Sequence, residues 1–243
     1  MATTTDPNTT KKGIPSTPHL TYMTQCLQLA RKAPALPTNF RVGALLLSRS
    51  TTDTTPTYVS DTLLSTGYTM ELAGNTHAEQ CCLSNYASVH GVPDDQVHTV
   101  LPHANDPERK LVMYVTMEPC GKRLSGNAPC VERIINTRQG GKGTGIQKVY
   151  FGVKEPGTFV GESEGVRRLE EAGVEWEVVP GLEKEILEVA VEGHEEGKRE
   201  EEVRSALEGL RTDVEKVSEE ERRRQERQPR NPKKRMMEGE MMM

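Results

Sequence analysis

The sequence predicts an α/β fold: a three-layer α/β/α arrangement around a central mixed sheet of about five strands. After a first helical segment, runs with strand character alternate with segments of helical spacing in the order β-β-α-β-α-β-α-β, which requires a mixed sheet with helices on both faces. The apolar residues also cluster between about Leu20 and Val191, enough for one core in a chain of 243 residues.

Taken in order, Leu20, Met23, Leu27 and Ala30 recur at helical spacing, so His19 to Ala33 is the first helix, stopped by Pro34 and Pro37. Arg41 to Leu47 is a short apolar run suited to a buried strand. The Thr-rich stretch Ser48 to Thr57 suits a hairpin loop, and Tyr58 to Ser65 its partner strand. Asn75 to Val89 returns to helix; Asn75 or Thr76 can cap it, which places His77 in its first turn. Lys110 to Met117 alternates into a strand ending at Glu118-Pro119-Cys120, and Pro129 opens a helix over Val131 to Thr137. Ile146 to Val153 is the next strand, Val166 to Ala172 a helix stopped by Gly173, and Val174 to Val179 the last strand.

The chain thus divides into a polar, disordered tail over residues 1–17, a domain over 18–192, and a charged segment over 193–243. In that last segment Val203, Leu207, Leu210, Val214 and Val217 repeat at 4-3-4-3 spacing, too few heptads for a coiled coil, and read as a solvated helix. Glu219 to Arg227 is almost wholly charged, and Pro229 to Arg235 gives weak support for nuclear import. The formal net charge of -5 argues against nonspecific nucleic-acid binding. No stretch approaches the ~18 apolar residues of a membrane span, and the N-terminus lacks an apolar signal core. Five cysteines without a small secreted-domain pattern fit a reducing compartment, so the cytoplasm is the expected location.

The chemistry lies in His77-Ala78-Glu79, followed by Pro119-Cys120 and then Pro129-Cys130. One imidazole and two thiolates supply three zinc ligands and leave a fourth tetrahedral position for water, which separates a catalytic from a structural site. One Zn²⁺ per chain is expected, on His77, Cys120 and Cys130. Two thiolates cancel the metal's charge, so the positive ends of helices starting near His77 and Cys130 are needed to favour the ionised ligands. Glu79 is not a ligand and is placed to move protons. Zinc deaminases of nucleobases use this ligand set with such a glutamate, acting on an amine attached to an electron-poor ring carbon. A competing arrangement puts Cys81, four residues after His77 on the same helical face, into the fourth position and closes the site into a structural His-Cys₃ cluster. Cys82 and Cys26 read as packing residues.

Asn39-Phe40-Arg41-Val42-Gly43-Ala44, Ala73-Gly74-Asn75-Thr76-His77-Ala78-Glu79 and Glu118-Pro119-Cys120 through Pro129-Cys130 together resemble the cytidine deaminase superfamily. The nine residues between Cys120 and Cys130, where nucleoside and tRNA deaminases usually carry two, are similar to the riboflavin-pathway pyrimidine deaminases. The insert Gly121 to Asn127 and the segment Val153 to Phe159 resemble the fungal form. The resemblance covers about Leu20 to Val179 and implies a cytidine deaminase-like fold. It also implies hydrolytic deamination of 2,5-diamino-6-ribitylamino-4(3H)-pyrimidinone 5′-phosphate to the 5-amino-6-ribitylamino-pyrimidinedione phosphate and ammonia. By the same resemblance Asn39 hydrogen-bonds the pyrimidine and the Ala78 backbone lines the ring pocket. Bacterial members place a histidine where this chain has Thr69, Met70 and Glu71. Neither the reductase domain fused to bacterial members nor the synthase domain of some fungal ones fits this chain, which leaves the reduction to another protein.

Glu71 and Asn75 join the candidate substrate contacts, and Lys122, Arg123, Ser125 and Asn127 in the insert beside the metal are candidates for the phosphate, where a guanidinium can clamp two oxygens. The expected partner is a phosphorylated pyrimidine, with neither membrane nor nucleic acid, in a homodimer. Two other classes stay open. A polynucleotide deaminase would need an electropositive path to the metal, to which Lys11, Lys12 and the basic C-terminal stretch would contribute. An inactive deaminase-fold subunit would not need the intact set of His77, Glu79, Cys120 and Cys130.

Overall fold

The computed structural model describes residues 18–51, 60–102, 106, 108–123, 126–139, 144–154, 164–204 and 207. Five strands, β1 (Gly43–Ser50), β2 (Thr62–Tyr68), β3 (Arg109–Met117), β4 (Ile146–Val153) and β5 (Glu175–Val178), form one sheet in the order β2-β1-β3-β4-β5. β1 is antiparallel to both neighbours, while β3, β4 and β5 run parallel. Five α-helices bounded among the described residues flank it: α1 (Pro18–Ala30), α2 (Ala78–Val89), α3 (Cys130–Asn136), α4 (Glu164–Glu171) and α5 (Glu183–Ala190).

Strand parity sorts the core into two halves. Ala44 and Leu46 of β1, Met113 and Val115 of β3, and Val149 and Phe151 of β4 face the side of α2, α3 and α4. Leu45, Leu47, Val112, Tyr114 and Tyr150 face α1 and α5. Because both faces are covered, β1 and β3 read as near-continuous apolar runs. The three-layer α/β/α expectation describes this architecture.

Several boundaries differ from the sequence reading, each for a physical reason. β1 starts two residues later, at Gly43, and continues to Ser50, because its polar end is satisfied inside the protein. Ser48 Oγ accepts from Arg109 Nε at 2.7 Å, and the buried Arg49 pairs with the equally buried Asp61 at 2.7 Å. β2 lies at Thr62–Tyr68, overlapping the expected Tyr58 to Ser65 over four residues and shifted toward the C-terminus, in the register that sets Tyr68 opposite Gly43. α2 starts at Ala78 with His77 as its N-cap residue; neither Asn75 nor Thr76 caps it, since Thr76 Oγ1 donates to Leu72 O and Asn75 accepts from Asn39. α4 starts two residues early, at Glu164, and a 3₁₀ turn over Asp94–Thr99 carried no periodic signal.

The C-terminal half of the domain holds the larger departures. The sequence reading assigns no element after Val179, yet α5 buries Ile186, Leu187, Val189 and Ala190. Residues 196–204 are helical, and Val203 and Leu207 pack against the α1/α5 side of the core, so the segment beyond Gly193 is not purely solvated. Apolar burial overrides a charged composition here. Leu210, Val214 and Val217, the block Glu219 to Arg227, the basic run Pro229 to Arg235, the tail 1–17 with Lys11 and Lys12, the loop 52–57, and residues 155–159 of the family-like segment all lie outside the described residues. No described helix is long and apolar enough to cross a membrane.

Candidate metal centre

The site forms where the N-terminus of α2 meets the carboxyl end of β3 and the start of α3. His77 is held in extended backbone (φ −89°, ψ 159°) immediately before α2, so its ring projects beyond the helix end. α2 sits unusually close to β2: a Cβ on Gly67 would fall 2.3 Å from Cys82 N and 2.4 Å from Ala78 O, so only glycine permits this approach. Ser65 Oγ donates to Cys82 O at 2.8 Å and Asn85 Nδ2 to Thr66 O at 3.0 Å, fixing the helix on the strand. Cys120 follows β3 after Glu118, whose backbone N–H donates to Val153 O at 2.8 Å. Cys130 opens α3, and Cys130 N donates to Cys120 Sγ at 3.4 Å.

His77, Cys120 and Cys130 present ligand atoms that all lie within 4.8 Å of one another. His77 Nδ1 is 3.5 Å from Cys120 Sγ and 3.4 Å from Cys130 Sγ. A tetrahedral zinc with Zn–S of about 2.3 Å and Zn–N of about 2.0 Å has N···S edges of about 3.5 Å, so the donor set fits zinc in type and spacing. Cys81 is buried but does not belong to this group, which argues against the closed His-Cys₃ arrangement.

The protons on these groups are those a metal displaces. The Cys130 thiol hydrogen-bonds Cys120 and, against the cost of burial, holds that thiol far below its usual range, with His77 adding to the effect. Cys130 itself is held high by that shared proton and by burial. Burial pulls His77 down, but its bond to Cys120 and the charge of Glu79 outweigh this and raise it. Glu79, 3% exposed, lies 3.3 Å from Cys130 Sγ. Burial and the neighbouring Cys120 push its carboxyl up to about 7, with His77 opposing. A carboxyl poised there gains and loses protons near neutrality.

Above the ligands is a cavity of about 120 Å³ lined by Thr38, Asn39, Phe40, Val42, Thr69, Asn75, His77, Glu79, Met117, Glu118 and Cys120. A cavity of roughly 150 Å³ holds benzene, so this space is on the scale of one ring and no larger. Asn39 Nδ2 donates to Asn75 Oδ1 at 3.2 Å and contacts Met70 Sδ at 3.1 Å, while Thr38 Oγ1 donates to Asn39 Oδ1 at 2.9 Å. Met70 holds a left-handed φ of 60°, unusual for a side chain of its size.

The sequence-predicted contacts divide accordingly. Asn39, Asn75, His77, Glu79 and Cys120 line the cavity, and the fully buried Ala78 lies between two of them. Glu71 does not line it: its carboxylate accepts from Tyr68 N and Asn85 Nδ2, both at 3.2 Å, and ties the loop to α2. Arg123 stands beside Asn75, donating to Asn75 O at 2.6 Å and to Gln80 Oε1 at 3.2 Å. Lys122 and Asn127 are exposed and outside the cavity lining, and Ser125 lies outside the described residues. Thr38, Phe40, Val42, Thr69, Met117 and Glu118 escaped the sequence reading as contacts. Phe40, Val42 and Glu118 stood inside quoted motifs, but nothing in their type signalled a cavity wall.

Comparison with known proteins adds the following. Residues 16–152 match the family model described as the cytidine and deoxycytidylate deaminase zinc-binding region. The chain is 31% identical over 176 residues to diaminohydroxyphosphoribosylamino-pyrimidine deaminase of Schizosaccharomyces pombe, covering 72% of this chain and 36% of that protein. It therefore spans about a third of that curated relative. It is 65% identical to Aspergillus oryzae Rib2 deaminase, crystallised as a C-terminal deletion mutant at pH 6.5, over 79% of this chain and 99% of that one, with a TM-score of 0.71. A second structure of that protein, in complex with DARIPP, matches at 65% identity over 79% of this chain and 98% of that one, with a TM-score of 0.70.

Proposed function

The chain belongs to the cytidine and deoxycytidylate deaminase zinc-binding family, and from that premise we propose that it deaminates 2,5-diamino-6-ribitylamino-4(3H)-pyrimidinone 5′-phosphate hydrolytically, for riboflavin synthesis. The observation that carries this reading is a buried Glu79 beside a three-ligand zinc site at the floor of a one-ring cavity. The likeness to a fungal deaminase crystallised with DARIPP, and to a fission-yeast pyrimidine deaminase, supports the substrate class.

His77, Cys120 and Cys130 would hold one Zn²⁺, which would acidify a water at neutral pH and supply positive charge against the developing negative charge. Glu79 takes one proton from the attacking water and delivers it to the adjacent ring nitrogen. It then transfers the second proton to the departing amine, so that C–O forms, C–N breaks and ammonia leaves. Asn39, fixed by Thr38 and Asn75, presents its amide to the ring edge. Arg123 has five N–H groups and uses two directions on Gln80 and Asn75, which leaves donors for the phosphate. A cytoplasmic homodimer accompanies this reading, supported by the family resemblance and by the absence of any disulfide among the described cysteines.

The test is ammonia release by purified protein from the ribityl and ribosyl pyrimidine phosphates, with and without chelator. Glu79→Gln should retain zinc and lose roughly 10²- to 10⁴-fold in kcat. Arg123→Ala should lose preference for phosphorylated over dephosphorylated substrate. Release from tRNA with none from any monomeric pyrimidine would overturn the assignment.

A further inference from the structure

We infer that His194, held by Glu202, is a positioning residue for the ring cavity, an inference that rests on the assignment of Asn39 and Phe40 to substrate binding. Both residues line the cavity, yet they sit in the irregular passage between α1 and β1 rather than in a helix or strand. Such a passage is shaped by what packs on it. Here the packing comes from the end of α5 and the residues beyond it.

The passage is anchored at its base. Arg41 N donates to Ala190 O at 2.9 Å, the Arg41 guanidinium donates to Ala33 O at 2.8 Å, and it pairs with Glu192. Gly193 packs directly on the chain, where an added Cβ would fall 2.6 Å from Ala35 C. His194 then reaches the part that faces the ligand. Its Nε2 is 3.3 Å from Asn39 O, its Nδ1 is 2.7 Å from Glu202 Oε2, and its ring centroid is 5.2 Å from that of Phe40. Each of these oxygens faces one ring nitrogen, so the orientation of the ring is set from both sides.

One side chain thus touches the backbone of one cavity-lining residue and the ring of the next. The His194 side chain is 5% exposed and that of Glu202 20%, so water competes little for either bond. His194 contacts neither Glu79 nor the zinc ligands in this arrangement. Its loss should loosen the cavity wall and spare the proton transfers. The residues doing this lie in the charged C-terminal stretch, which gives that stretch a purpose in shaping the cavity beyond solvation.

Steady-state kinetics on the zinc-loaded, full-length protein test the inference with His194→Gln, Glu202→Gln and, as a surface control on the same helical stretch, Lys198→Ala. His194→Gln and Glu202→Gln should each raise KM for the ribityl pyrimidine phosphate roughly tenfold while kcat changes less than about twofold. The double variant should cost little more than either single one, because both remove the same constraint. Zinc content should stay at one per chain, and Lys198→Ala should match wild type. If KM stays within twofold in both variants, or if kcat, zinc and melting temperature fall together at unchanged KM, the positioning role is overturned. Should His194→Gln fail to fold, Glu202→Gln alone decides between the two outcomes. An inactive wild type would overturn the deaminase reading and this inference together, whereas an active wild type with unaltered variants overturns only the latter.

Discussion

Gly67→Ala perturbs the close backbone approach of α2 to β2. The new Cβ would lie 2.3 Å from Cys82 N and 2.4 Å from Ala78 O, both backbone atoms that no rotamer change can move. Ordinary contact needs about 3.5 Å, so α2 must retreat by about 1 Å. That retreat strains the Ser65–Cys82 and Asn85–Thr66 bonds and carries His77 and Glu79 with it, since both lie at the start of α2. Overpacking of this kind costs about 1–3 kcal/mol of stability, and a 1 Å misplacement of catalytic groups costs roughly 10²-fold in rate. Denaturant unfolding of the zinc-loaded protein measures the first quantity and kcat/KM the second. The reasoning requires both to fall. A variant destabilised by 1–3 kcal/mol that kept wild-type kcat/KM would refute it, because α2 would then move without moving the ligands.

Three further outcomes are expected. Cys81→Ala should keep one zinc and normal turnover while Cys130→Ala loses the metal; elemental analysis separates them, and zinc loss in the Cys81 variant would restore the closed four-ligand arrangement. Asp61→Ala leaves the buried Arg49 uncompensated and should cost about 3–5 kcal/mol in urea unfolding, far more than replacing both members by apolar residues; a cost below about 1 kcal/mol would contradict the pairing. His19 is half-buried against Tyr114 and Tyr150, and burial together with the charge of Arg49 lowers its pKa from 6.5. The unfolded chain therefore binds that proton first, and stability should fall as pH drops below about 6.5. His19→Gln should flatten the stability profile between about pH 7 and 5, and an unchanged slope would rule His19 out as its source.

What was legible in the sequence followed from how local each signal is. β4 was bounded correctly because its apolar run is flanked by polar turns, and the ligands were legible because metal binding restricts residue type. Ser48 and Arg49 hid the end of β1, since a buried arginine reads as surface until its partner twelve residues away is known. Glu71 shows the same limit from the other side: nothing in its type reveals that Tyr68 N and Asn85 Nδ2 both donate to its Oε2. His194 gave no signal at all, because its partner Asn39 is 155 residues distant and its neighbours are charged.

The distribution of these residues also explains how one site can be both firm and selective. The ligands and Glu79 lie at the ends of regular elements: β3 leads to Cys120, α3 begins with Cys130, and α2 follows His77. Their separation is then fixed by sheet register and helix packing, as a metal with near-invariant bond lengths requires. The cavity wall is built differently. Asn39 and Phe40 stand in irregular chain, supported by Asn75 on one side and by His194 on the other. On the proposed function, changes in those supports would shift the wall without disturbing the three ligands, so that KM and substrate preference would vary while proton transfer by Glu79 stayed intact.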